Sequence, residues 1–250
     1  MERFSRIIQL LGQEQWDRIS RSKVAVFGLG AVGGWASEIL ARSGVSHFIL
    51  TDFDRIAKTN INRHVCALES TVGIPKVEAL KARILDINPK AEVITFQTFA
   101  DRTNFADIIT EDTDVIIDAI DSLGPKIELL EYTSRNNLPV ISSMGAALKT
   151  DPSAIRTGYL FETEICPLAR ALRKHLRRRG IESGIPCVYS VESPDNNALI
   201  APDEDNDDSS LKRGRPRNIL GSYPAVTAIF GITLADMAIK MILGGTDNQK

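Results

Sequence analysis

Short apolar runs alternate with amphipathic stretches over the first 145 residues of the chain. Val24 to Phe27, His47 to Leu50, Val93 to Phe96, Asp114 to Ile117 and Leu138 to Ile141 each have the length and apolar content of a buried strand. Between them the period lengthens to that of a helix. One helix opens near Ala31. A second spans Ile74 to Asn88, where Val77, Leu80, Ala82, Ile84 and Leu85 form a stripe that Pro89 ends, and a third spans Leu123 to Asn136. Five strands alternating with helices predict an α/β fold of Rossmann-like type, a mostly parallel sheet with helices on both faces. Residues 2–22 carry helical periodicity through Phe4, Ile7, Ile8, Leu10 and Leu11, with Arg3 and Arg6 beside them. Arg55 to Leu68 reads as a polar loop running into a short helix.

Beyond Gly145 the alternation lapses. Ala154 to Phe161 and Cys187 to Val191 have strand character, so the sheet is expected to be continued by a smaller antiparallel section. Pro167 to Arg179 is helical, with an apolar line of Leu168, Leu172 and Leu176 and a basic remainder. Residues 195–218 hold opposite charge blocks, DEDNDD and KRGRPR, and are expected to form a mobile surface loop. Ala225 to Leu243 is the longest apolar stretch, but Asp236 and Lys240 interrupt it, which fits a buried or subunit-interface helix better than a membrane span. The chain is therefore read as one domain over residues 1–250. Residues 1–145 form a nucleotide-binding half and residues 146–250 a half for substrate and dimerisation.

The chemistry concentrates where strands end. Gly28, Gly30 and Gly33 lie between the first strand and a helix start, where backbone N–H groups can meet phosphate, and Asp52 ends the second strand 24 positions after Gly28, where a carboxylate can take a ribose hydroxyl. Such a fingerprint serves NAD-dependent dehydrogenases, methyltransferases and ATP-using adenylating enzymes alike. Asn60 and Arg63 in NINR, Lys76 in GIPK and Asp121 in DAIDS narrow the choice. A pyrophosphate already served by a glycine turn needs no added cations, whereas a triphosphate has more charge to balance, and Arg63 and Lys76 could supply it. Asp121, following Asp118 after the fourth strand, makes sense chiefly as a ligand to a divalent metal such as Mg2+. Asp54 reads as a loop cap or a support for these groups.

Composition adds exclusions. Of the 250 residues 43% are apolar and 25% charged, as in a globular chain, and the net charge of −2 means that a polyanionic partner needs a local basic patch. Cys66, Cys166 and Cys187 are far apart, with no CxxC pair for zinc, and suggest a reduced cytoplasmic setting. The N-terminal residues lack the pattern of a secretory signal.

Taken together, GLGAVGGW, TDFD, TNINRH, GIPK, LDINP and DAIDS closely resemble the adenylating superfamily of ubiquitin-activating enzymes and their bacterial relatives MoeB and ThiF. The resemblance implies that ATP with magnesium activates a carboxylate as an acyl-adenylate. By the same resemblance Asp52 holds the ribose, Asn60, Arg63 and Lys76 hold the phosphates, Asp121 holds the metal, and Arg6 reaches into the neighbouring subunit of a homodimer. The segments DPSAIRTGYLFETEICPLARALRKHLRRRG, IPCVYSVESP and SYPAVTAIFGITLADMAIK resemble the tRNA threonylcarbamoyladenosine dehydratases within it. There the activated carboxylate belongs to a modified adenosine at position 37 of tRNA. The alternative substrate is the C-terminal carboxylate of a small sulfur-carrier protein, and the alternative class is a NAD-dependent oxidoreductase. Arg170, Arg173, Lys174, Arg177, Arg178 and Arg179 suit a solvated helix face or the phosphates of an RNA stem-loop, and the resemblance favours RNA. Cys187 matches a cysteine of that group and invites comparison with a thioester cysteine, against the reading of a small buried strand residue. His64 reads as a helix-surface histidine or a phosphate contact, and His175 as part of the basic helix.

Overall fold

In the computed structural model, which describes residues 2–195, 197, 199–200 and 219–244, a seven-stranded sheet carries the chain. Its strands are β1 (Lys23–Phe27), β2 (His47–Thr51), β3 (Glu92–Phe96), β4 (Val115–Asp118), β5 (Val140–Ser143), β6 (Ile155–Tyr159) and β7 (Pro186–Ser190), in the order β3-β2-β1-β4-β5-β7-β6. The first five are parallel, and the runs that named them are buried almost throughout in β1, β2, β4 and β5 because helices cover both faces. The later strands add to the same sheet. β7 joins β5 in parallel, and β6 alone runs antiparallel at the edge. A two-stranded ribbon, β8 (Leu199–Ile200) and β9 (Ile219–Leu220), stands apart. The charge blocks of 195–218 lie almost wholly outside the described residues.

Eight α-helices are described: α1 (Ser5–Leu11), α2 (Gln13–Arg21), α3 (Ala31–Ser43), α4 (Lys76–Ile87), α5 (Phe105–Ile108), α6 (Leu123–Arg135), α7 (Pro167–Arg177) and α8 (Pro224–Ile242). The periodicity of residues 2–22 breaks at Gly12, whose φ of 87° splits α1 from α2. This hairpin is tied down by Phe4 against Trp16 and by Arg3, which donates to the Ile87 carbonyl oxygen 2.6 Å away. The segment 55–68 contains only a single 3-10 turn, Lys58–Asn60, in place of the expected short helix.

Although α8 has the length and composition of a membrane-crossing helix, it packs along α3 and against the sheet, burying Val226, Phe230, Leu234, Ala235 and Ala238. The approach is close because residue 231 is glycine. A Cβ there would lie 2.4 Å from the Val32 carbonyl oxygen and 2.7 Å from Trp35 Cβ. These neighbours are backbone or the root of a side chain and cannot swing aside. Gly231→Ala is expected to lower the unfolding free energy by roughly 1–3 kcal/mol, the usual cost of overpacking. An unchanged denaturant midpoint would show that α8 and α3 do not pack this closely.

Candidate active site

The glycine turn is held on three sides. Gly28 has φ of 85°, and a Cβ on it would sit 2.7 Å from the Ala119 carbonyl oxygen in the turn after β4, while a Cβ on Gly33 would meet the Gly28 carbonyl oxygen. Between them, Leu29 is gripped at both ends of its backbone. Its N–H donates to Asp52 Oδ2 at 2.6 Å, and its carbonyl oxygen lies 2.6 Å from His64 Nε2. Gly30 is the N-cap of α3, contributes no side-chain cap, and has open space where a Cβ would be. The first turn of α3 thus presents its N–H groups to a clear approach, the geometry that receives phosphate.

His64 is neither on a helix surface nor open to a phosphate. It is 5% exposed, and its Nδ1 accepts the Cys66 N–H at 3.0 Å, so Nε2 carries the proton donated to Leu29. Burial chiefly, helped by the positive charge of Lys76 and Arg63, lowers its pKa to about 4. The NINRH stretch therefore plugs the back of the glycine turn with a neutral imidazole and leaves Arg63 at the front.

The charged groups gather at the ends of β2 and β4. Lys76, the first residue of α4, points its ammonium at Asp54 Oδ2, 2.7 Å away, and is buried apart from a tenth of its side chain. Its N–H also donates to the Asp54 carbonyl oxygen, which places Asp54 as the support for Lys76. Burial alone would lower the Lys76 pKa, yet Asp52, Asp54 and Asp121 together raise it, so the ammonium stays charged. Asp52 also accepts the Asp54 N–H, and burial raises its pKa against the pull of Lys76 and those two N–H groups. Arg63 is half-buried and donates to the Thr59 carbonyl oxygen and to Asn62 Oδ1; burial lowers its pKa while the charge of Asp121 raises it. Asn60 Oδ1 accepts the Ala57 N–H and closes the turn that carries Arg63. Asp121 is exposed, accepts a hydrogen bond from Ser122, and acts electrostatically on both Arg63 and Lys76. An open glycine cradle, two cations and an outer carboxylate suit a polyphosphate with one divalent ion, because magnesium keeps most of its shell from water and phosphate oxygens and takes one or two carboxylates.

Two further residues support the site that sequence reasoning did not assign. Asp118 and Lys126 form a wholly buried ion pair of 2.8 Å beneath the turn that carries Asp121. Asp118 opens the DAIDS motif, but its pairing with Lys126 is not signalled by motif spacing, since β4 and α6 bring the two together.

Outside the nucleotide cleft, the basic helix α7 divides. Arg173 donates to the Leu160 carbonyl oxygen and to Thr163 Oγ1, and Arg179, just past the helix, pairs with Glu131 at 3.0 Å. Both are spent on holding the helix, in contrast to their assignment to RNA. Arg170, Lys174, Arg177 and Arg178 are exposed, with the Arg177 guanidinium 5.6 Å from the centre of the Phe161 ring. Helix burial runs through Ala169, Leu172 and Leu176, with Leu168 only partly covered. Cys187 is fully buried in β7 and its thiol is pushed up to about 12, chiefly by burial, which disfavours the thiolate that a thioester step needs. Cys66 and Cys166 are also buried and free. Arg6 is exposed on α1.

The His64 geometry has a signed consequence. An unfolded histidine takes a proton near pH 6.5, whereas the folded one resists protonation until about pH 4. Between these values the unfolded state binds more protons, so stability falls as pH drops through the window, by on the order of 3 kcal/mol from this residue. The stability difference between wild type and His64→Gln should change with pH in that window; a constant difference would place a charged or exposed imidazole there.

Comparison with known proteins agrees with this geometry. Residues 4–250 match the ThiF family. A Bacillus subtilis protein named tRNA threonylcarbamoyladenosine dehydratase is 42% identical over 78% of this chain and 76% of its own. The crystal structure of the Escherichia coli tRNA threonylcarbamoyladenosine dehydratase in complex with ATP superposes with a TM-score of 0.85 at 31% identity, covering all of this chain and 97% of that one. By contrast, an Escherichia coli molybdopterin-synthase adenylyltransferase, 31% identical, matches 60% of this chain. The chain belongs to the ThiF family, in the branch of the tRNA threonylcarbamoyladenosine dehydratases.

Proposed function

We propose that this protein is an ATP-dependent tRNA threonylcarbamoyladenosine dehydratase. The observation that carries the reading is the convergence of an open glycine cradle, Lys76, Arg63 and Asp121 at the ends of β1, β2 and β4, in a chain whose second half also matches that branch. In the proposed reaction a threonyl carboxylate oxygen attacks the α-phosphorus of ATP and pyrophosphate leaves. The adjacent carbamoyl nitrogen then attacks the activated carbonyl carbon, loses its proton and expels AMP, so the nucleoside loses one water overall. Nucleophile and leaving group sit in one nucleoside, which makes the closure intramolecular and removes the need for a protein nucleophile. The buried, protonated Cys187 accords with that.

Each polar group has a defined task in this scheme. Asp52, anchored by two backbone N–H groups, offers its carboxylate edge to the ribose. The α3 N-terminus receives phosphate, and Arg63, Lys76 and Asn60 balance and orient the leaving pyrophosphate. Magnesium held by Asp121 would neutralise charge between phosphate oxygens. Arg170, Lys174, Arg177 and Arg178 are left to meet RNA phosphates. A cytoplasmic setting, supported by three free cysteines, and a homodimer that brings Arg6 to the partner's site belong to the same reading. A sulfur-carrier substrate is less well supported, because the CxxC pairs of a zinc site are missing from the sequence.

The direct test is mass spectrometry of nucleosides from tRNA incubated with the protein and ATP. Loss of one water from threonylcarbamoyladenosine is expected, and an unchanged nucleoside would refute the reading. Arg63→Ala and Lys76→Ala should fold and slow the ATP-dependent reaction by on the order of a hundredfold, the usual cost of one charge-stabilising donor; full activity in both would remove them from the site. Neutralising Lys174, Arg177 and Arg178 together should weaken tRNA binding and flatten its salt dependence, whereas Arg173→Ala should chiefly lower stability. An unchanged salt slope in the triple variant would move the RNA surface elsewhere.

A further inference from the structure

The buried pair under the β4–α6 turn spends its bonds on one short stretch of backbone. Lys126 is fully enclosed, and its ammonium reaches Asp118 Oδ2 at 2.8 Å, the Ile120 carbonyl oxygen at 3.0 Å and the Asp118 carbonyl oxygen at 3.4 Å. An ammonium has three protons, and here each has an acceptor in the turn that leads to Asp121. Asp118 is used as completely: Oδ2 also accepts from Ser142 Oγ at 2.7 Å, and Oδ1 accepts the Ile120 N–H at 3.2 Å. The backbone from 118 to 120 is thus wrapped around one cation. Ala119 lies within it, its N–H bonded to the Phe27 carbonyl oxygen and its own carbonyl oxygen forming the floor under Gly28.

A buried ion pair is a poor source of stability, because desolvating both charges offsets most of their attraction and apolar side chains of similar volume often do as well. What it supplies is a fixed arrangement of several backbone groups at once. We infer that Lys126, held with Asp118 and Ser142, is a positioning residue that presets the turn so that Asp121 meets the metal of the nucleotide at its working distance. Lys126 touches no substrate. It acts through the Asp118 and Ile120 carbonyl oxygens, which it ties together on either side of Ala119 and so sets the course of the chain into Asp121. The same cation fixes the Ala119 floor, so the glycine turn and the metal-binding carboxylate keep one relative position.

The inference rests on the proposed role of Asp121, and the test separates the two. ATP affinity is measured by calorimetry with magnesium and with a chelator, in wild type, Asp121→Asn, Lys126→Met and the charge-balanced double variant Asp118→Asn/Lys126→Met. The single Lys126 variant leaves a buried carboxylate alone, so the double variant carries the test if that protein does not fold. Ser142→Ala loosens Asp118 without stranding a charge and serves as a third probe. The magnesium-dependent gain in affinity should fall about tenfold in Asp121→Asn and in the double variant, as it does when the partner supporting a ligating carboxylate is lost, with a smaller fall in Ser142→Ala. Affinity in chelator should stay near that of wild type. A folded double variant and a Ser142→Ala protein that both keep the full gain, beside an Asp121→Asn protein that loses it, would overturn the inference alone. An Asp121→Asn protein that keeps the gain would overturn the metal role of Asp121 and the inference with it.

Discussion

No side chain can stand between the glycine turn and the turn after β4, and the rest of the site follows from that contact. Gly28 faces the Ala119 carbonyl oxygen at a distance that excludes a Cβ, and Gly33 lies over the Gly28 carbonyl oxygen. Two backbone segments from parallel neighbours, β1 and β4, therefore lie back to back at the end of the sheet where ligands bind. On one side of the contact the N-terminus of α3 is aimed outward. On the other side the chain continues to Asp121, so phosphate donors and a carboxylate are set side by side by main-chain geometry.

Around this contact the electrostatics are arranged so that the cations stay charged. Asp52 and His64 hold opposite ends of the Leu29 peptide, one as a carboxylate, the other as a neutral imidazole. The neutrality of His64 matters, since a third positive charge would be repelled by both Lys76 and Arg63. Lys76 in turn keeps its charge through three nearby aspartates despite being buried. Deep in the fold, Asp118 and Lys126 repeat the pattern without solvent access. A triphosphate arriving here meets cations already held in place, which is how charge stabilisation avoids the cost of reorganisation during the reaction.

Much of this was legible in the chain before any coordinates. The parallel strands announce themselves because burial on both faces leaves continuous apolar runs, and the glycine spacing marks the turn because only glycine tolerates that approach. Their edges were less legible: β5 lies at Val140–Ser143, two residues later than its apolar run, because polar Ser142 is buried there by its bond to Asp118. Gly12 was hidden inside a helical period, and the parallel addition of β7 depends on pairing across more than forty residues of sequence, which no local pattern records. His64 and Arg173 misled for the same reason. A polar residue among polar neighbours looks solvated until tertiary contacts, here with Leu29 and Thr163, turn it inward.

The central claim is that these groups surround an ATP whose α-phosphorus is attacked by a carboxylate oxygen of the modified nucleoside. Labelling that carboxylate with oxygen-18 and weighing the products of one turnover tests it most directly. The account requires one labelled oxygen in the released AMP and none in pyrophosphate. Unlabelled AMP, or label in a phosphate split from the outer end of ATP, would contradict it.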